Sequence, residues 1–293
     1  MPKLANKILC YGEMLWDVLP GKAVPGGAPM NVAIGLQKLG ADVAFLSSCG
    51  HDRPGEELLK YLEDNGITTK YIQKNDYPTG IVNVCLSAGN DATYDIVFPS
   101  AWDYINEPDD LPVYDVLVYG SLSCRNTTSF ETLKKLLEQE ALKVFDVNLR
   151  PPYIDRITIE FLLLKAEIVK MNHEELSMVS GWNGYKSNDL EKAAEHVYQK
   201  YNIKVLCVTL GAEGAFLMKV DDKILQEGIR VKTTDTVGAG DAFLAGFIHN
   251  YLKNKPIKET LEFACRLGAF VASREGANPP FHKDSLDKLR KYT

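Results

Sequence analysis

No stretch of this 293-residue chain approaches the roughly 20 consecutive apolar residues that a membrane-spanning helix needs. Its first residues also lack the basic-then-apolar pattern of a secretory signal. The six cysteines, Cys10, Cys49, Cys85, Cys124, Cys207 and Cys265, are scattered and form no CxxC pair. Reduced core thiols in a cytoplasmic protein are therefore the expectation. Positive charge is short too: 33 Lys and Arg against 39 Asp and Glu leave a net charge of −6, which argues against a nucleic-acid surface. The overall field would not attract an anion, so phosphate binding would have to be local. Two phosphate motifs are missing. No GxxxxGK sequence occurs, and Gly238-Ala239-Gly240 lacks the third glycine of the dinucleotide fingerprint. His173 has no second His or Cys at ligand spacing, which speaks against zinc.

What the chain does have is alternation. Strand-like apolar runs at Ile8–Tyr11, Val43–Ser47, Val116–Tyr119, Val144–Val147, Ile168–Met171 and Val205–Thr209 alternate with helix patterns. Those helices are predicted at 28–39, 54–65, 127–139, 173–180 and 189–201. Pro54 with Glu56 and Glu57 suits a first helical turn, and Gly40 and Gly66 suit helix ends. The pattern predicts an α/β fold with a mostly parallel sheet covered by helices, its ligands bound beyond the carboxyl ends of the strands. One region departs from it. Gly80–Leu86 and Thr93–Phe98, joined by Ser87-Ala88-Gly89-Asn90-Asp91, read as a β-hairpin, which is marginal alone and needs another surface.

The densest chemistry lies in Asp235-Thr236-Val237-Gly238-Ala239-Gly240-Asp241-Ala242-Phe243, which opens a helix predicted from Gly238 to about Leu252. A helix start leaves N–H groups without partners and carries partial positive charge. Gly238, Ala239 and Gly240 leave room there for a phosphate, and Asp241 beside it could take a proton from an attacking hydroxyl. At such a terminus Asp241 is expected to stay ionised at neutral pH. A glycine-rich turn before a core helix gives the same letters.

A second segment, Pro25-Gly26-Gly27-Ala28-Pro29-Met30-Asn31-Val32-Ala33, precedes the helix at 28–39. Gly26 and Gly27 let backbone approach a ligand closely, and Asn31 offers both a donor and an acceptor. Asp17, expected at the end of the first strand, suits either neighbouring hydroxyls or a turn. Asp146, Asn148 and Arg150 fall on one side if the extended conformation persists. Arg150 then suits phosphoryl oxygens, and equally a surface position before Pro151-Pro152. Asn172 and Glu175 are three apart and share a helix face that Glu174 does not. Thr209-Leu210-Gly211-Ala212-Glu213-Gly214 suits a tight turn, against a nucleotide or in a plain hairpin.

The glycine-rich loop ending in Asp241 and the Gly26-Gly27/Asn31 segment resemble, in order and separation, the two signature regions of the PfkB (ribokinase-like) carbohydrate kinases. The resemblance covers essentially the whole chain. It implies a ribokinase-like three-layer α/β fold, one domain over 1–293, with a small β-sheet lid built from about 13–20 and 79–99. Met14–Leu19 would add a lid strand. The lid would cover the sugar, with Tyr94 and Phe98 excluding water, and would serve in a homodimer. Asp17, Gly26, Gly27 and Asn31 are implied to bind sugar, and Asp241 to act as base with Gly238, Ala239 and Gly240 as anion hole. Arg150, Asn172, Glu175, Thr209, Gly211, Gly214 and Asn278 are implied to bind ATP, with Glu175 holding Mg²⁺ through water. Asn278 belongs to the segment Arg274–Pro279, which looks like the loop over adenine. Asp235 and Val237, with carbonyls around Val271 and Gly276, would hold a monovalent cation such as K⁺.

Within the family, Gly12-Glu13-Met14-Leu15-Trp16-Asp17 and GGAPMNVA look most like the fructokinases, which implies ATP-dependent phosphorylation of the hydroxymethyl group of D-fructose. The absence of Lys and Arg between Gly80 and Ala101 speaks against an acidic sugar. The rivals are a 2-keto-3-deoxygluconate kinase, ribokinase or nucleoside kinase of the same family and, from another class, a noncatalytic sugar- or nucleotide-binding regulator.

Overall fold

A computed structural model describes residues 6–86, 92–182, 184–185, 187 and 189–281. The chain begins with β1 (Lys7–Tyr11), β2 (Leu15–Leu19), β3 (Lys22–Gly26), α1 (Ala28–Lys38), β4 (Asp42–Gly50) and α2 (Arg53–Asp64). Next come β5 (Ile72–Asn75), β6 (Gly80–Leu86), β7 (Ala92–Ile96), β8 (Val116–Gly120), α3 (Thr127–Leu137), β9 (Leu142–Asp146) and α4 (Arg156–Lys165). The remainder is β10 (Ile168–Asn172), α5 (His173–Gly181), α6 (Leu190–Lys200), β11 (Val205–Thr209), β12 (Gly214–Lys219), β13 (Asp222–Glu227), α7 (Ala239–Leu252) and α8 (Ile257–Ala272).

The strands form a nine-stranded sheet, ordered β13-β12-β11-β10-β9-β8-β1-β4-β5, and a four-stranded one, β3-β2-β6-β7. In the large sheet all pairings from β5 to β11 are parallel, and the β11–β12 and β12–β13 pairings are antiparallel. Sequence order runs one way from β1 to β4 and β5, and the other way from β8 to β11. The switch point, where ligands bind in such sheets, thus lies between β1 and β8.

Strand β1 is apolar on both faces because each face is covered. Leu9 and Tyr11 join a cluster with Leu133 and Leu136 of α3, Leu162 of α4, Val179 of α5 and Val197 of α6. Ile8 and Cys10 point the other way, into a cluster with Ile34 of α1, Leu58 of α2, Phe247 of α7 and Leu261 of α8. This period-two division makes the three layers. Burying each such side chain stabilises the fold by roughly 1.5–3 kcal/mol. The described cysteines Cys10, Cys49, Cys124, Cys207 and Cys265 are unpaired thiols.

Sequence patterning located the parallel strands and the helices between them, but not α4, α8, β3, β5, β12 or β13. Helix α8 is buried along Leu261, Ala264, Cys265, Leu267, Gly268, Phe270 and Val271, so packing rather than a polar face selects it. The hairpin is present as β6 and β7, and β2 runs parallel to β6. Its loop, 87–91, and the side chain of Tyr94 lie outside the described residues. Phe98, expected over the sugar, is 52% exposed.

Two polar clamps fix the small sheet to the core. Asp52, the N-cap of α2, accepts hydrogen bonds from the Thr79 backbone N–H at 2.8 Å and the Thr79 hydroxyl at 2.5 Å, just before β6. After β7, the fully buried Arg125 pairs with Asp103 at 2.6 Å and donates to the Val97 carbonyl at 2.7 Å. Its guanidinium stacks 3.9 Å from the Trp102 ring centre. Val82 and Ile96 are buried in the main core, leaving Ile81 and Val84 as the half-covered apolar side chains of β6.

Candidate active site

Five helices, α2 to α6, begin with an Asp or Asn whose side chain caps the first turn. Helices α1 and α7 begin instead with glycine and no side-chain cap, and their first turns meet in one cleft. Asn31 of α1 donates from Nδ2 to Asp241 Oδ2 at 2.8 Å and accepts at Oδ1 from Asn278 Nδ2 at 2.7 Å. Asn31 is buried, and its amide orients Asp241 rather than standing free.

Gly238 adopts the left-handed conformation, φ 76°, and a Cβ there would lie 2.5 Å from the Ala277 Cβ. At the α7 start the Ala239 N–H bonds the Thr236 carbonyl and the Ala242 N–H bonds the Gly238 carbonyl. The N–H groups of Gly240 and Asp241 between them find no acceptor among the described residues. Two adjacent unpaired donors at a positive helix end fit an anion such as phosphate.

The carboxylates here are unusually proton-hungry. Asp241 is pushed up to about 6 by burial and by Asp146, against Lys170, the Asn31 hydrogen bond and Arg150. A group titrating near 6 is still mostly ionised at pH 7, in line with the sequence expectation. Asp17 is likewise raised to about 6 by burial, opposed by Arg150 and reinforced by Asp241. Asp17 does not end the first strand. Gly12, at φ 143°, turns the chain after Tyr11, and Asp17 lies inside β2 of the small sheet. A Cβ on Gly26 would sit 2.1 Å from Asp17 Oδ2, so glycine at that place makes room for the carboxylate. At Gly27, φ 112°, a Cβ would lie 2.5 Å from the Glu13 carbonyl oxygen.

The segment after β9 departs from expectation. Asn148 has φ 37°, which breaks the extended run and separates Asp146, buried, from Arg150, exposed. Glu175 is buried, and both its oxygens accept backbone N–H groups: Oε2 from Asn172 and Oε1 from Leu149, each at 2.8 Å. Asn172 returns the favour by capping the Glu175 N–H at 2.8 Å. Thr209, Gly211 and Gly214 belong to the β11–β12 hairpin, where a Cβ on Gly214 would lie 2.0 Å from the Gln226 carbonyl. Packing against β13 accounts for Gly214, whereas Gly211 faces open space. Asp235 accepts from the Val237 N–H at 3.0 Å and the Gly276 N–H at 3.2 Å, and Val271 lies in the last turn of the adjacent α8. Among the described residues no three His, Cys, Asp or Glu side chains gather as a metal cage.

Known proteins bear on this arrangement directly. Residues 6–284 match the pfkB family of carbohydrate kinases. The chain belongs to that family. It is an ATP-dependent sugar kinase. Fructokinase-2 of Solanum lycopersicum is 29% identical, over 97% of this chain and 96% of that one. A fructokinase from Xylella fastidiosa with bound ATP shares the fold, with a TM-score of 0.85 at 24% identity over 98% of this chain and 99% of that chain. The aminoimidazole riboside kinase of Salmonella enterica, complexed with aminoimidazole riboside and an ATP analogue, superposes with a TM-score of 0.81 at 26% identity, over 97% and 99% of the two chains.

Three residues of the kinase that sequence reasoning passed over stand in the same cleft. Glu13, at the switch point, is 2% exposed, and its Oε2 has no hydrogen-bond partner among the described residues. Burial pushes its carboxyl up to about 7; Arg150 lowers it, and Asp241 and Asp146 raise it. Lys38 donates to the Asn278 carbonyl at 2.6 Å, pinning the 277–279 segment over α1, and burial lowers it to about 8. Lys170 is buried against Asp146. A charged residue inside a parallel central strand was the available signal for Lys170, since such strands are otherwise apolar.

Proposed function

We propose that this kinase is a fructokinase, transferring the γ-phosphoryl group of ATP to the hydroxymethyl oxygen of D-fructose. The observation that carries the reading is Asp241, held by Asn31 at an uncapped helix start whose next two N–H groups await an anion. The hydroxyl oxygen forms a bond to γ-phosphorus, the bond from γ-phosphorus to the ADP oxygen breaks, and the hydroxyl proton goes to the Asp241 carboxylate. The open turn of Gly238, Ala239 and Gly240 cradles the transferring group with the unpaired N–H groups of Gly240 and Asp241 as donors, and Arg150 supplies charge from the edge of the cleft. A loose transition state asks more of positioning than of basicity, which suits a carboxylate near pKa 6.

Asp17, Gly26 and Gly27 bind sugar, and the small sheet serves as the lid of a homodimer. The 276–278 segment and the Thr209–Gly211 turn flank the adenosine part of ATP. Mg²⁺, which would neutralise phosphate charge, would be held through water by Glu175 and Asn172, in keeping with a site that has no carboxylate cage. Asp235, Val237, Val271 and Gly276 would hold K⁺. Unpaired thiols support a cytoplasmic location. Fructose is favoured by relatives such as Fructokinase-2 and by the lack of a cationic side chain between Gly80 and Ala101, which an acidic sugar would want.

Radiolabelled ATP with a panel of fructose, ribose, adenosine, aminoimidazole riboside and 2-keto-3-deoxygluconate tests the reading. The expected result is the highest kcat/KM for fructose. A higher value for another member overturns the substrate and leaves the kinase. Sedimentation as a 32.6 kDa monomer at micromolar concentration would remove the dimer.

A further inference from the structure

Lys170 and Asp146 are register partners on the adjacent parallel strands β10 and β9. The Lys170 Nζ lies 2.9 Å and 3.2 Å from the two Asp146 oxygens, and the side chains are 8% and 5% exposed. A pair this deep gains little stability over apolar residues of the same volume, because desolvation offsets the attraction. Its place in the fold is telling: a Cβ on Gly240 would lie 3.1 Å from that ammonium, so the pair sits directly beneath the uncapped start of α7.

We propose that Lys170, seated by Asp146, is a positioning residue for phosphoryl transfer, a fixed cationic floor under the Gly238–Gly240 loop that keeps Asp241 ionised and offsets the charge of the arriving phosphoryl group. It acts through Asp241 and the loop, and rests on the reading of Asp241 as base. Asp241 is faced by Asn31 from α1, Asp146 from β9, Lys170 from β10, Arg150 from the segment after β9, Glu13 from the β1–β2 connection and Asp17 from β2. Lys170 lowers the Asp241 pKa and Asp146 raises it. Removing one or the other therefore displaces Asp241 in opposite directions, which loss of a merely structural pair would not do.

The test is the acid limb of kcat/KM against pH, expected near pH 6 in the wild type. Lys170→Met should move the limb up, and Asp146→Asn should move it down, each by about one pH unit. Lys170→Arg should restore the wild-type position to within about half a unit. Limbs that move the same way, or do not move, overturn the inference. If Lys170→Met is not recovered folded, Asp146→Asn decides alone: a downward shift supports the floor, and an unmoved or raised limb overturns it. Asp241→Asn in the same assay separates the two levels. If it is nearly inactive the base reading stands, and the direction of the limbs then judges Lys170. If it keeps more than about a tenth of kcat, the base reading falls and the inference with it.

Discussion

Helices α5 and α7 both start at the carboxyl edge of the sheet, and they treat their first turn in opposite ways. At α5, Asn172 and Glu175 bond each other's backbone N–H groups, and Glu175 reaches a third at Leu149. The N–H groups of Asn172 and Glu175 are thus filled by side chains, while those of His173 and Glu174 have no acceptor among the described residues. At α7 a left-handed glycine replaces the cap, and two N–H groups have no acceptor among the described residues. The contrast lies in the capping: side chains fill the N-cap and third-residue groups at α5, whereas α7 has no capping side chain and only small residues before Asp241. Leaving such groups unpaired costs on the order of 1–3 kcal/mol each if they are buried, a cost a bound phosphate would remove.

Four experiments would break or sharpen that contrast. The largest effect is expected for Asp241→Asn, which keeps the shape and the Asn31 neighbourhood but loses the charge. It should cut kcat about a thousandfold with little change in sugar affinity, as steady-state kinetics and equilibrium binding would show. A variant above about a tenth of wild-type kcat would place the base elsewhere.

Glu13, whose Oε2 has no hydrogen-bond partner among the described residues, should add a distinct pH dependence to stability. Its folded pKa, about 7, lies above the ordinary value of 4.5. The native state therefore binds more protons than the unfolded state between these values. The contribution of Glu13 to stability is therefore greatest below about pH 4.5 and is lost as pH rises through 7. Glu13→Gln lacks this dependence. Relative to wild type it should gain on the order of 3 kcal/mol between pH 4 and pH 8.5, measured by urea unfolding. A constant difference across that range would show that the carboxyl does not titrate there.

Gly238→Ala would force a side chain into a left-handed position against Ala277. A fall in kcat of about thirtyfold, roughly 2 kcal/mol, is expected, with fructose KM nearly unchanged. Wild-type kcat would mean that the open start of α7 tolerates closure. The smallest effect belongs to the side-chain-capped terminus of α5. Glu175→Gln has one oxygen for two backbone donors and should lose about 1–2 kcal/mol of stability while raising the Mg²⁺ needed for half-maximal rate. Glu174→Gln, exposed on the same turn, should resemble wild type in both measurements. If Glu174→Gln is the more damaging, the roles of the two neighbours are exchanged.

The local signals in the sequence were strong where the physics is local. Continuous apolar runs marked the parallel strands because each is buried on both faces, and Gly238 through Asp241, although a plain glycine-rich turn gives the same letters, offered a helix start without a capping side chain. The spacing of Asn172 and Glu175 proved to be that of a capping box, with Asn172 as N-cap of α5 rather than on a shared helix face. Only the tertiary structure decided who meets whom. Asn31 reaches Asp241 across 210 positions and Asn278 across 247, and no local pattern encodes such a contact. Asp17 left the first strand for the small sheet because Gly12 turns the chain there. Lys170 found Asp146 through strand register, and Glu13 lost its solvent through the packing of neighbours distant in sequence. The sequence thus determined which groups are available for chemistry. Their partners, burial and protonation were set by long-range packing, because desolvation and charge coupling depend on distances that exist only in the folded chain.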